Sequence, residues 1–236
     1  MTTTLIIPGI GSSGPAHWQS WLQDNIPGAV RVIQSDWNDA KLADWSSRVR
    51  RQISKSSGQI LIVAHSFGAL AAVQAAADHA NRIAGALLVA PADPDKFGVA
   101  DYLPQAPLAF PTIVVASTND PWMSIERAAH WSGVWSAELI NLGAAGHINT
   151  DAGFGPWPDG LLLIERLRRA AEWRESGERL AKLASRARRP PAFVVRSGLH
   201  HRHNGSKRAL RHAAELLEQA GWHVAPPARW SHVTSV

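Results

Sequence analysis

The sequence predicts an α/β fold, a mostly parallel sheet of about six strands with helices on both faces. Three observations carry that expectation. Short aliphatic or β-branched runs alternate with longer amphipathic runs through residues 1–142. The runs at 60–63, 86–89 and 112–115 are apolar at every position, the pattern of strands covered on both faces. Apolar residues make up 45% of the 236, enough to fill a sizeable core.

The elements follow in order. Leu5-Ile6-Ile7 is the first strand, and 16–24 a helix. Residues 30–33 form the second strand. Residues 42–53 form a helix whose apolar positions, Leu42, Trp45, Val49 and Ile53, recur at helical spacing. The third strand, 60–63, leads into an Ala-rich helix over 69–80. Strands at 86–89 and 112–115 come next, then a helix at 125–134 and a last strand at 137–140. Such alternation implies right-handed crossovers and a parallel sheet. From 161 to 188 one long helical run is rich in Arg, Glu and Ala, until Pro190-Pro191 stops it. The chain divides into a domain over 1–175 and a basic helical extension over 176–236, with a further strand at 192–195 and a helix at 207–219.

Charge is divided unevenly. Residues 1–165 hold 9 basic and 14 acidic side chains, a net of −5. Residues 166–236 hold 15 and 5, a net of +10. A basic tail can mark a nucleic-acid or membrane-surface patch, but no nucleic-acid-binding motif accompanies it. A solvated Arg-rich helix is the plainer reading, so nucleic acid is not an expected partner. There are no cysteines, which excludes disulfides, thiolate metal sites and a cysteine nucleophile. That composition suits the cytoplasm. No stretch reaches the roughly 18 apolar residues of a membrane span, and the N-terminus lacks the basic region of a signal peptide.

Chemistry is concentrated at Ala64-His65-Ser66-Phe67-Gly68, where the third strand turns into the third helix. Serine at a strand–turn–helix corner is the nucleophile elbow, usually Gly-x-Ser-x-Gly. Ala64 stands where the first glycine is expected, and Gly68 keeps the second. There the hydroxyl projects past the sheet edge, where a loop can bring a base, and the Phe67 N–H at the helix start can face a developing oxyanion. The competing role for Ser66 is a helix N-cap. The partners decide between them. In this fold class the order is Ser, then an acid, then His, each after a strand. Asp120 follows the 112–115 strand in Ser117-Thr118-Asn119-Asp120-Pro121, and His147 follows the last strand in Gly143-Ala144-Ala145-Gly146-His147. Asp93, after the 86–89 strand, is the alternative acid. His65 supports the turn, and the histidines at 200, 201 and 203 read as surface residues without companion metal ligands.

These motifs resemble a known family. Residues 8–21, from Pro8-Gly9-Ile10-Gly11 to His17-Trp18-Gln19-Ser20-Trp21, are similar to the opening signature of the small serine hydrolases related to retinoblastoma-binding protein nine and bacterial YdeN. Gln34-Ser35-Asp36-Trp37, the elbow, 116–121, Gly146-His147-Ile148-Asn149 and 153–158 match as well, so the resemblance covers about 4–168. It implies an α/β-hydrolase fold without a large cap domain, and it assigns Ser66, Asp120 and His147 to a catalytic triad. It also implies that the loop near Ile10 and Gly11 supplies the second oxyanion N–H. Retinoblastoma-protein binding through Leu-x-Cys-x-Glu does not carry over to a chain without cysteine. The tail from about 176 has no counterpart in that family.

The expected activity is acyl transfer from a small ester or amide to water, esterase-like or peptidase-like, with no metal or cofactor. Eleven tryptophans are unusual. Trp18, Trp37, Trp122 and Trp157 lie on loops at the strand ends and are candidate pocket walls, whereas Trp45, Trp131 and Trp135 on helices read as core. The alternative from another class is an inactive binding module that uses its basic tail.

Overall fold

The computed structural model describes residues 2–187. The strand and helix expected at 192–195 and 207–219, and the histidines at 200, 201 and 203, lie outside the described residues. Six strands form one sheet: β1 (Thr2–Ile7), β2 (Val30–Arg31), β3 (Gln59–His65), β4 (Ile83–Val89), β5 (Thr112–Ala116) and β6 (Glu138–Asn141). Their order is β2-β1-β3-β4-β5-β6 and every pairing is parallel. The order reverses at β1, so β1 and β3 lie side by side with their C-terminal ends open to loops on the same edge. That is where ligands bind in sheets of this kind.

Alternating side chains split the core into two layers. Leu5, Ile7, Ile60, Ile62, Leu88 and Val114 face α2 (Leu42–Lys55), α3 (Phe67–Ala77) and α4 (Ile125–Trp135). Ile6, Leu61, Val63, Leu87, Ile113 and Val115 face α1 (Trp18–Asn25) and α5 (Pro158–Ala187). β3 and β4 are covered on both sides, which is why their sequences show no polar alternation. Trp45 and Trp135 plug the first layer, and their indole N–H groups donate to the Asp39 and Pro104 carbonyls at 2.8 and 3.1 Å.

The element boundaries shift for local reasons. α1 starts at Trp18 rather than 16, because the His17 ring accepts the Gln19 N–H at 3.1 Å and caps the helix. β2 stops at Arg31: it is an edge strand, and Ile33 is 59% exposed. β4 begins three residues early, at Ile83. The small Ala84 and Gly85 break the aliphatic run there, and at 85 a Cβ would lie 3.2 Å from both Leu167 on α5 and the Pro111 carbonyl oxygen, so the glycine suits a close approach of α5. Met1–Arg188 forms one compact unit. α5 passes through 176 unbroken, since good helix formers continue until the prolines beyond it. Among the described residues no helix is long and apolar enough to cross a membrane.

Candidate active site

Ser66 occupies the corner between β3 and α3 with φ 54° and ψ −131°, a conformation L-residues rarely adopt. Packing enforces it. A Cβ at Gly68 would lie 2.2 Å from the Pro8 carbonyl oxygen, and one at Gly9 would lie 2.7 Å from the Ser66 Cβ. Glycine at both positions lets the end of β1 and the start of α3 close on the turn. Ala64 fits where the usual motif has glycine because its methyl points into the core and is fully buried. Although Ser66 precedes the helix, its side chain makes no capping bond. It is turned instead toward the ring of His147.

The His147 Nε2 lies 2.9 Å from the Ser66 Oγ, and its Nδ1 lies 2.9 Å from both carboxylate oxygens of Asp120. The Asp120 side chain is 2% exposed and that of His147 11%. Asp120 also accepts the Trp122 N–H at 2.9 Å, which fixes the carboxylate on its turn. An acceptor facing Nδ1 places the imidazole proton there and leaves Nε2 free to take the serine proton. Asp93 is not part of this chain of bonds. It is buried, caps the Asp95 N–H at 3.2 Å and pairs with Arg127 at 3.5 Å.

The Phe67 N–H opens α3 and has no intrahelical acceptor. Of the two residues expected to give the second oxyanion donor, Gly11 is already engaged: its N–H donates to the Trp37 carbonyl at 3.0 Å. Ile10 makes no backbone hydrogen bond among the described residues. It lines the cleft, just before a tight turn with positive φ at Gly11 and Ser12. A cleft of about 380 Å³ lies over Ser66. Ile10, Phe97 and Trp122 supply apolar lining, and Ser12, His17, Asn149, Thr150 and Asp151 polar lining. Trp122 is the only one of the four expected tryptophan walls on this lining. Trp18 is fully buried, donating to the Ile148 carbonyl at 2.8 Å, and Trp157 packs edge-on against it. Trp37 stacks edge-on against Trp45 in the core layer. Trp18 opens α1 while Trp37 and Trp157 lie on loops, and all three rings turn inward, because a large apolar ring gains more from burial than from lining an open cleft.

A serine hydrolase family model matches residues 4–166 of the sequence. The chain belongs to the serine hydrolase family. No curated protein sequence matches it significantly. Among solved structures, a YdeN-like hydrolase from Pectobacterium atrosepticum is 41% identical, with a TM-score of 0.67 over 73% of this chain and 91% of that one. The ydeN gene product of B. subtilis is 19% identical, with a TM-score of 0.60 over 71% and 98%. Est1E from Butyrivibrio proteoclasticus with ferulic acid bound is 15% identical, with a TM-score of 0.53 over 72% and 87%. The last two show the shared fold.

Two features of this serine hydrolase escape a motif reading. Asn119, next to the acid, accepts the Ser117 hydroxyl and the Gly146 N–H, both at 2.7 Å. Ser117 in turn accepts the Ala145 N–H at 3.0 Å. Together they tie the loop after β5 to the loop that carries His147. The second feature is a row of imidazoles. His65 Nε2–H donates to the His147 carbonyl at 3.0 Å, and its ring lies 4.9 Å from that of His147 and 5.1 Å from that of His17. Burial, with like charge on either side, holds His65 well below the ordinary histidine range. Burial also lowers His17 to about 4, helped by the charges of Arg31 and His147. Both flanking rings are neutral at pH 7, so the array carries no fixed charge that would oppose the imidazolium on His147.

Proposed function

We propose that this serine hydrolase cleaves a small ester or amide through an acyl-enzyme. The observation that carries the reading is the continuous relay from the Ser66 Oγ through His147 to a buried Asp120, every link at 2.9 Å. His147 Nε2 takes the Ser66 proton as Oγ bonds to the substrate carbonyl carbon. The carbonyl electron pair moves to oxygen, which the Phe67 and Ile10 N–H groups receive. Collapse breaks the bond to the alcohol or amine, which leaves with the proton from His147. Water then repeats the sequence on the acyl-enzyme and regenerates Ser66. Asp120 holds the imidazole tautomer and stabilises the imidazolium.

The cleft supports a small acyl group. It is open and of modest volume, and among the described residues no cap domain covers it. The test is turnover of p-nitrophenyl esters of increasing chain length. Acetyl and butyryl esters are expected to exceed long-chain esters in kcat/KM, and Ser66→Ala is expected to lower kcat by about 10⁴–10⁶. A Ser66→Ala variant as fast as the parent would refute the mechanism. Preference for long chains would refute the substrate class.

A further inference from the structure

The His17 ring lines the site with one nitrogen already used. Its Nδ1 accepts the Gln19 N–H at 3.1 Å, so the proton of the neutral ring is on Nε2. His17 is 5% exposed, and it lines the cleft. Nε2 has no hydrogen-bond partner among the described residues, yet it is not among the polar atoms sealed from solvent without one. The small exposed part of this side chain is therefore an N–H donor opening on the cleft. Burial keeps the ring neutral and the donor in place through the working pH range.

The surroundings give that donor a direction. The loop that carries His17 also lines the cleft with Ser12 and the apolar Ile10, and the loop after His147 adds Asn149, Thr150 and Asp151. The loops lie together, since Trp18, next in sequence, bonds to Ile148. Phe97 and Trp122 add aromatic lining, Phe97 tilted against Phe67 at 5.0 Å and Trp122 with its ring 6.3 Å from that of His147. The cleft thus offers both apolar surface and hydrogen-bonding groups. A buried polar site discriminates strongly against a ligand that leaves its donor unpaired.

We propose that His17 is a substrate-binding residue. In this assignment its Nε2–H donates to an ether, hydroxyl or carbonyl oxygen on the substrate outside the scissile bond. The proposal rests on the hydrolase reading above and narrows it to oxygenated small esters or amides.

The test compares matched pairs. Methoxyacetate and butyrate p-nitrophenyl esters differ by an oxygen for a methylene in the acyl half, and 2-methoxyethyl and butyl acetates do so in the alcohol half. The variant is His17→Asn. Asparagine is a good N-cap and keeps the bond to Gln19, but is too short to offer the cleft donor. The parent is expected to favour the oxygenated member of at least one pair, beyond their difference in alkaline hydrolysis. His17→Asn is expected to remove that preference by about 3–10-fold in kcat/KM, mainly through KM, as for one neutral hydrogen bond. Its loss on the apolar member should be smaller than on the oxygenated one, and a denaturation curve at the assay pH corrects both rates for the ring packing on Trp18 and His65 that is lost with His17. An equal loss on both members of each pair, or no loss on either, would overturn the assignment while leaving the hydrolase reading intact. No turnover by the parent of any of the four esters would overturn both.

Discussion

Ser66 and His147 meet at 2.9 Å, but the chain delivers them by different means. The elbow is positioned by contact. Gly9 and Gly68 let three backbone segments approach within distances that any side chain would block, and the strain at Ser66 is sustained by a core fully buried on both faces of β3. The His147 loop lies past β6, an edge strand with exposed ends. It is held by hydrogen bonds from elsewhere: Asn119 to Gly146, Ser117 to Ala145, His65 to the His147 carbonyl and Trp18 to Ile148. Sterics fix Ser66, and a polar network fixes His147. The first arrangement fails by unfolding, the second by misalignment.

The largest expected effect separates the two. Asp120→Asn should preserve stability and reduce kcat by about 10⁴, because an amide donor favours the wrong imidazole tautomer. Steady-state kinetics beside a denaturation curve checks it. At the elbow the outcome should reverse: Gly68→Ala places a methyl 2.2 Å from the Pro8 carbonyl oxygen. It should destabilise the protein by about 3 kcal/mol or more, since backbone has to move. A chemical-denaturation midpoint measures this, and a parental midpoint would show that contact does not set the turn.

The acid limb of stability comes next. His17 is depressed to about 4 in the folded protein, against about 6.5 when exposed, and His65 is shifted the same way. Between those values the unfolded chain binds protons that the folded chain refuses, so stability is lost as pH falls from about 6.5 toward 4. His17 alone accounts for at most about 3 kcal/mol, and nearer 1–2 with solvent screening. Urea midpoints across that range should show the fall, and His17→Asn should make it shallower while the His65 share remains. The smallest effect belongs to the network. Asn119→Ala leaves the Gly146 N–H to water and frees the loop that carries His147, and should reduce kcat about 10-fold at a stability cost of about 1 kcal/mol or less. A larger change in KM than in kcat would argue that the loop binds substrate rather than aligning the base.

The sequence carries the contact-built half of this machine more legibly than the other. Ile60–Val63, Ser66 and Gly68 are neighbours in the chain, so the corner shows as a motif even with Ala64 in it. Asp120 and His147 are readable from their order after strands. Asn119 is not, because its bond to Gly146 spans 27 residues and exists only once β5 and β6 pair. Trp18, Trp37 and Trp157 show why aromatics mislead: composition places them at the site, but only packing decides which way a ring turns. Gly11 is a similar case. Its N–H is spoken for by Trp37, from a strand-end loop that no local pattern connects to it.

The central claim is that a buried acid and an aligned base activate Ser66 for attack on a carbonyl. The direct measurement is labelling of the folded protein with a fluorophosphonate, with the adduct located by peptide mass spectrometry. The expected result is one adduct per chain, on Ser66, lost on prior denaturation and slowed by orders of magnitude in Asp120→Asn. A folded protein that takes up no label, or takes it up equally in the parent and in Asp120→Asn, would contradict the account.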